Sequence, residues 1–533
     1  MDIQYPKPET QELLRQIWSV YSLIGRIPGT ADHRLPIIRQ IAESGDIAAI
    51  SGLSELLLDE SSEIADAASE CVHRLLSETP VEILPSLEET VRGYGLAERS
   101  WRNLKPTQVS ALRTSPAART SILGVASFSP SGYVREAAVH ELARIEDGSE
   151  IPFLLLRAND WVATVRGVAN VALRSRFVAS RFHDFARNAY LVLRLAECGR
   201  EKHDDILEWF TGQLIGIEHE AEFLQIVRGP NRWLRRRCFR RAIEREGSHQ
   251  NRLARIGLDA SDVVLRFQSA RQVRLSFPES ELADALCKME QDRFMPVRRE
   301  ALLARVEQQP DQAAEFLEKA LLDRSASIRE LARFYLGKIG RTDLAQVYRH
   351  MLPQNQEIGL MGLGETGDAN DVPLAVPFLQ HSKVAIRVAA VRLVANLGGE
   401  NFIDDLLTAL QDQSKKVALA AKTGLLSGSH VVSANRLWEI AENSPRQHVR
   451  LAATELLDGS GTWSSIPLLF RLSVHPDKQL ASRATALIAR RINQVFTSPS
   501  VEDRQRIQEA IDECRSRLPN RFISDFEKWL ACR

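Results

Sequence analysis

The chain has 533 residues, and its 69 basic side chains are balanced by 69 acidic ones. A single hydrophobic core rarely organises a chain of this length, so several packing units are expected. The balanced charge predicts neither a polyanion nor a polycation as the partner of the whole chain. The six cysteines lack the spacing of a metal or redox motif. No signal peptide is apparent, and no apolar run reaches the roughly 20 residues that cross a bilayer. We therefore expect a reduced, cytoplasmic protein without a cofactor and without membrane insertion.

Residues 1–44 are predicted to form an N-terminal helical cap. One amphipathic pattern runs from Leu13 to Leu23, and a second runs from Leu35 to Ile41. A turn between Gly25 and Gly29 is expected to separate the two helices.

Residues 45–495 contain an internal repeat that is clearest between Asp323 and Ala332. An acidic turn residue comes first, then a branched aliphatic residue followed directly by Arg329, then an alanine three positions later. The step from Arg298 to Arg329 is 31 residues, and eleven copies can be aligned. The residue before the arginine position is always a branched aliphatic: Ile64, Val134, Val165, Leu234, Leu265, Val297, Ile328, Ile386, Val417, Val449 and Leu480. The residue three positions after it is always small: Ala68, Ala138, Ala169, Cys238, Ser269, Ala301, Ala332, Ala390, Ala421, Ala453 and Ala484.

This spacing places an aliphatic and a small side chain on one helix face, where the small residue allows a neighbouring helix to approach closely. A fixed period of this length is typical of repeat proteins. The sequence therefore predicts an all-α solenoid, a superhelix of about fourteen helix pairs. Cys238 is expected to act as a small apolar filler.

Several segments depart from the period. Val81 to Arg119 and Phe177 to Gly229 each have room for two units with a longer loop. Residues 496–533 are predicted to form a C-terminal helical cap. Its first helix begins at a capping box at Ser500, and its last helix places three aromatic residues on one face: Phe522, Phe526 and Trp529.

The acidic turn, the Val-Arg or Ile-Arg pair and the following alanine resemble HEAT repeats. The short period and glycine-containing turns are similar to the short HEAT-like variety also found in phycobilisome lyases. The resemblance covers roughly residues 47–491 and implies a ladder of aspartates and arginines between adjacent units. Asp160, Asp292 and Asp323 precede an arginine by six residues. Other copies lack either the aspartate, as at Arg135, Arg235 and Arg266, or the arginine, as at Asp59 and Asp412, so a patchy ladder is expected.

Two short motifs suggest chemistry but lack its structural setting. Residues 362–367 match the dinucleotide pattern G-x-G-x-x-G, which requires a preceding strand and a following helix. Neither is predicted here, and we expect these glycines to form a turn that ends a repeat. His203, Asp204 and Asp205 are adjacent, which points their side chains in different directions and predicts a surface cluster.

The most unusual stretch lies between Arg228 and Arg245. Residues 227–306 hold 18 basic against 10 acidic residues. A basic strip on the inner face of a solenoid could bind phosphates or carboxylates, whereas the alternative is a solvated face whose charges are offset by nearby acidic residues. The candidate partner-binding residues are Arg232, Trp233, Arg236, Arg237, Arg240, Arg271, Arg274 and Arg299, with Trp233, Arg236 and Arg240 as the expected anchor.

We expect a non-enzymatic scaffold or adaptor that binds a protein partner along the concave face of the solenoid. A nucleic-acid-binding protein that uses the basic strip is the alternative. A third hypothesis is an enzyme on the same scaffold, as in the bilin lyases and a class of DNA glycosylases with HEAT-like repeats. No metal-dependent or nucleophile motif is present in the sequence, although catalytic residues can be scattered along a chain.

Overall fold

A computed structural model of the protein describes residues 6–23, 32–92, 104–112, 114–426, 432–495 and 497–533. These residues form 33 α-helices, several of them preceded by a short 3-10 turn, and they contain no strand. None of the described helices is long and apolar enough to span a bilayer. The predicted turn between Gly25 and Gly29 lies outside the described residues.

The chain divides into two compact units, residues 1–301 and residues 302–533. The helices of unit 1 are α1 Pro8–Leu23, α2 Arg34–Ser44, α3 Ile50–Leu53, α4 Ser62–Ser77, α5 Leu84–Arg92, α6 Pro106–Val109, α7 Arg119–Ala126, α8 Gly132–Leu142, α9 Ile151–Arg157, α10 Ala163–Arg174, α11 Phe182–Arg187, α12 Ala189–Arg194, α13 Asp204–Leu214, α14 Glu220–Arg228, α15 Arg232–Glu244, α16 His249–Leu258, α17 Val263–Ser276, α18 Glu279–Glu290 and α19 Met295–Gln308, within which the unit ends. The helices of unit 2 are α20 Ala313–Ala320, α21 Ala326–Lys338, α22 Leu344–Met351, α23 Gln356–Thr366, α24 Val372–Ala375, α25 Val384–Leu397, α26 Ile403–Leu410, α27 Lys415–Leu426, α28 Ala434–Asn443, α29 Gln447–Gly459, α30 Thr462–Leu472, α31 Lys478–Gln494, α32 Val501–Cys514 and α33 Asn520–Ala531.

Within each unit the helices pair and the pairs stack. The first helix of a pair packs on the second, as α16 does on α17 and α28 on α29. Consecutive second helices also pack on one another, as α15 does on α17 in unit 1 and α23, α25 and α27 do in unit 2. This layered stacking is the packing of an all-α solenoid, which confirms the predicted fold class.

The two repeat columns form the interfaces between these helices. All eleven small residues of the second column are buried. Ten of the eleven aliphatic residues of the first column are also buried, and Leu234 alone is half-buried. The predicted face is therefore the face that packs.

The aspartate–arginine ladder joins consecutive helix-pair repeats and is more regular than the sequence predicts. The arginine of one repeat binds the aspartate of the next repeat, which lies 25 to 27 residues later in the chain. In Arg135, Nε and Nη2 donate to Asp160 at 2.9 and 2.8 Å, and Nη1 donates to the Ser129 carbonyl, six residues earlier, at 3.0 Å. Other rungs of this kind include Arg34–Asp59, Arg235–Asp262, Arg266–Asp292, Arg387–Asp412 and Arg450–Asp477.

The expectation of a patchy ladder was therefore wrong for these rungs. Arg135, Arg235 and Arg266 lack an aspartate in their own repeat because the aspartate comes from the following repeat. Asp59 and Asp412 likewise receive an arginine from the preceding repeat. Even the predicted N-terminal cap contributes a rung, through Arg34 of α2.

Helix α5 departs from packing between neighbours. Glu88 pairs with Arg92 at 2.7 Å and also with Arg157, which is buried in α9. Glu82, just before α5, accepts a hydrogen bond at 3.4 Å from Asn231, a residue 149 positions later. The irregular stretch around α5 thus contacts several repeats of unit 1.

The C-terminal segment forms two helices, as predicted. Ser500 accepts a hydrogen bond from the Asp503 N–H at 3.0 Å, and the Asp503 carboxylate accepts one from the Ser500 N–H, which completes the capping box. The Phe526 ring meets Phe470 of α30 edge-on, with centroids 4.9 Å apart. The division into residues 1–44, 45–495 and 496–533 stays an interpretation of the repeat pattern.

Candidate protein-binding surface

The arginine-rich stretch forms α15, the second helix of its pair. Asn231 caps the helix by accepting a hydrogen bond from the Leu234 N–H at 3.1 Å. The core face holds Cys238, Phe239 and Ala242, all buried. Burial raises the pKa of the Cys238 thiol, so this cysteine is a small apolar filler, as predicted.

Arg236, an expected anchor, is held by the ladder. Its Nε and Nη2 donate to the Asp262 carboxylate at 2.9 and 2.8 Å, beside the two bonds from Arg235. Burial by itself would raise the pKa of Asp262, but the bonds from Arg236, from the Val264 N–H and from Arg235 hold it well below its ordinary value. One carboxylate therefore neutralises two adjacent arginines in part, and Arg236 is engaged within the fold.

Trp233 and Arg237 also contact their own surroundings. The Arg237 guanidinium lies 5.2 Å from the centre of the Trp233 ring and pairs with Glu197. Tyr190 meets the same indole ring edge-on, with centroids 5.2 Å apart. Trp233 is half-buried and its ring is covered from two directions, so it offers less surface to a partner than the sequence suggests.

Arg274 connects two neighbouring repeats of unit 1. Its Nε donates to the buried Glu300 of α19 at 2.7 Å. The structure thus engages four of the eight candidate residues in contacts inside unit 1.

The other four candidates are exposed arginines: Arg232, Arg240, Arg271 and Arg299. None of them forms an ion pair with any residue that the structure describes. They lie on α15, α17 and α19, three consecutive second helices. Arg240 and Arg271 occupy equivalent positions, each five residues after a ladder arginine. We call these four residues the exposed arginine surface.

The glycine motif is part of a helix, not of a phosphate-binding loop. Gly362 and Gly364 lie inside α23, so the expected turn was wrong for them; Gly367 follows the helix as its C-cap. A Cβ at Gly362 would collide with the ring of Tyr348. Tyr348 is buried and donates a hydrogen bond to the Leu321 carbonyl at 3.1 Å, so the glycine makes room for an anchored aromatic ring.

The acidic and histidine cluster before α13 is only partly on the surface. His203 is 3% exposed, which contradicts the expected surface position. Burial lowers the pKa of its imidazole, and its Nε2 has no hydrogen-bond partner among the described residues. Asp205 points elsewhere and accepts a bond from Arg174 at 2.6 Å. Within the described part of the chain no three His, Cys, Asp or Glu side chains are grouped in a way that could hold a metal ion.

The fold defines an all-α solenoid of HEAT-like helix pairs. No family model matches the chain, and no curated protein matches it in sequence. Among solved structures, similar chain folds occur in Kap95p bound to RanGDP, with 12% identity, a TM-score of 0.34, and coverage of 95% of this chain and 66% of that one. Kap121p bound to Pho4p has 12% identity, a TM-score of 0.28, and coverage of 98% and 57%. Importin beta has 13% identity, a TM-score of 0.32, and coverage of 98% and 68%.

The chain thus spans about two thirds or less of the length of the first two of these proteins. At this identity and TM-score the likeness carries no conclusion about partner or activity.

Proposed function

We propose that the protein is a scaffold or adaptor that binds an acidic segment of a protein partner through the exposed arginine surface. The observation that supports this most directly is the contrast between two sets of arginines on the same helices. Arg235, Arg236 and Arg274 are paired with buried carboxylates. Arg240 and Arg271 are exposed and have no acidic partner in the described residues.

Arginine is suited to this role because its planar guanidinium binds a carboxylate through two parallel hydrogen bonds. The second helices of a solenoid form a continuous surface on which a partner can make many separate contacts. Binding on the concave face is part of the proposal. So are a cytoplasmic location and the short, phycobilisome-lyase-type form of the repeat.

Nucleic acid is the alternative ligand of the same surface. Nucleic acid bound through the four arginines of this surface would release about four counterions, so its affinity would fall as the salt concentration rises. No specific observation favours an enzyme among the hypotheses that the sequence leaves open.

The test compares two labelled probes of similar charge, a 12-residue polyglutamate peptide and a 12-nucleotide single-stranded RNA. Fluorescence anisotropy measures the binding of each to the unchanged protein and to the double variant Arg240→Glu, Arg271→Glu. We expect the peptide to bind and the double variant to weaken that binding at least about tenfold.

The matched control is the double variant Arg39→Glu, Arg187→Glu. It makes the same charge change at two exposed arginines of unit 1 that lie outside the surface. Equal loss of binding in both double variants would reduce the effect to net charge and contradict the proposal. Tighter binding of the RNA than of the peptide, with a steep fall in affinity as salt rises, would assign the surface to nucleic acid instead.

A further inference from the structure

A second exposed surface lies in unit 2, on the corresponding face of the second helices. In unit 1 the residue after the ladder arginine is Arg236 in α15 and Arg299 in α19. In unit 2 the corresponding position holds Val388 in α25 and Leu419 in α27. This position is therefore basic in α15 and α19 but aliphatic in α25 and α27.

These aliphatic side chains line an open groove of about 750 Å³ that crosses α23, α25 and α27. Met361, Val388 and Leu419 contribute one apolar side chain from each helix to the floor. Leu419 is 52% exposed, whereas the leucines of the repeat interfaces are fully covered. We call this feature the apolar groove.

Helix α25 shows why the groove is unusual. Ile386, Ala390 and Val394 form the stripe that packs inside unit 2, and all three are buried. Val384 and Val388 form a second apolar stripe on another face, and this stripe lines the groove. A helix that is apolar on more than one face is normally covered on each of them, but the described residues leave Val384 and Val388 only half-buried. An aliphatic surface of this kind indicates a binding partner.

The charged residues at the rim of the groove favour a partner of negative charge. Arg392 and Lys416 line the groove, are exposed, and pair with no acidic residue in the described part of the chain. Glu357 is the one acidic residue in the lining. The groove therefore combines an apolar floor with an excess of positive charge at its rim, which complements a segment that carries aliphatic and acidic side chains.

We propose that the apolar groove binds an extended segment of a protein partner, with an aliphatic side chain at every third residue and acidic residues between them. Packed helices lie about 8–10 Å apart. Three residues of extended polyproline II chain advance about 9 Å, so every third side chain meets the next helix. The groove lies in unit 2 and shares no residue with the exposed arginine surface, so this inference does not depend on the function proposed above.

The probe is a fluorescein-labelled peptide of four Leu-Glu-Glu repeats, measured by anisotropy. The protein carries Arg240→Glu and Arg271→Glu, which removes electrostatic binding by unit 1 from the measurement. We expect the peptide to bind. Leu419→Glu should weaken binding at least about tenfold because a buried leucine contact is lost and a like charge is introduced. Arg392→Glu, which changes an exposed side chain, should weaken it by a similar factor.

Leu374→Glu is the control, since Leu374 is 41% exposed in unit 2 and lies outside the groove. It should leave the affinity unchanged. Peptides of Ser-Glu-Glu and Leu-Lys-Lys repeats test the apolar and the acidic requirement separately, and each should bind at least about tenfold more weakly. Thermal melting by circular dichroism verifies that each variant is folded, and if Leu419→Glu melts early then Arg392→Glu decides. No binding of the Leu-Glu-Glu peptide, equal binding of the serine peptide, or equal effects of the groove variants and Leu374→Glu would overturn the proposal.

Discussion

Asp262 is the residue at which the ladder can be tested most sharply. Its carboxylate, 1% exposed, accepts hydrogen bonds from Arg235 and Arg236 and also caps α17 through the Val264 N–H. Asp262→Asn keeps the size and the capping ability but removes the charge. Since the two arginines are about a fifth to a quarter exposed, we expect a loss of about 1–2 kcal/mol in local stability. Asp262→Ala should lose about 1 kcal/mol more, because the cap is lost as well.

Hydrogen exchange measured by mass spectrometry is the suitable assay, because a long repeat chain need not unfold in one step. Exchange in α15 and α17 should rise about 5- to 30-fold in Asp262→Asn. The control Asp284→Asn changes an exposed aspartate and should leave these helices unaffected. If Asp262→Asn behaves like the control, the ladder does not stabilise the stack as argued.

The effect should also depend on pH. The folded pKa of Asp262 is depressed, so its contribution is present above the ordinary aspartate value of about 4 and is lost as the pH falls towards the folded value. The difference in exchange between the unchanged protein and Asp262→Asn should therefore shrink below about pH 4. A difference that persists undiminished in acid would contradict the assignment to an ion pair.

Gly362→Ala should destabilise unit 2 by about 1–3 kcal/mol because the new methyl group meets the anchored ring of Tyr348, whereas Gly337→Ala, which has open space, should be neutral or stabilising; urea unfolding by circular dichroism compares the two. His203 has a folded pKa lowered by burial, so unit 1 should lose stability as the pH falls below about 6.5, and His203→Gln should flatten that dependence in melts between about pH 7 and pH 5. Glu88→Gln removes a carboxylate that binds a buried arginine of α9, so hydrogen exchange in α5 should rise while that in α29 stays unchanged.

The sequence predicts the packing of this protein well because packing repeats. Ala332 and its ten equivalents are small for one reason, the close approach of two helices, and that reason is visible in an alignment of the chain with itself. The capping box at Ser500 is equally local, since both partners lie within four residues.

Contacts between neighbouring repeats were predicted less well. Arg236 and Arg274 look free when one helix is considered alone, because their partners Asp262 and Glu300 lie 26 residues further along the chain. A signal was present, since every ladder arginine with an aspartate 25–27 residues later is a candidate rung. The docking of α5 on Arg157 left no such signal, because it follows no period.

The apolar groove was missed for a different reason. Charge marks the arginine-rich stretch in the sequence, whereas Val388 and Leu419 resemble ordinary helix residues in composition. Only their register within the repeat, one position after Arg387 and Ala418, places them outside the two packing columns. Position within the repeat, more than residue type, therefore indicates which side chains are offered to a partner.

The central claim is that exposed side chains on the second helices bind protein segments, acidic ones through the exposed arginine surface. The most direct measurement is hydrogen exchange by mass spectrometry with and without the 12-residue polyglutamate peptide at saturating concentration. We predict protection in residues 232–244 and 263–276 and in residues 295–301, and its disappearance in the Arg240→Glu, Arg271→Glu variant. Protection that is absent, or that lies on first helices such as α16 and α18 instead, would contradict the claim.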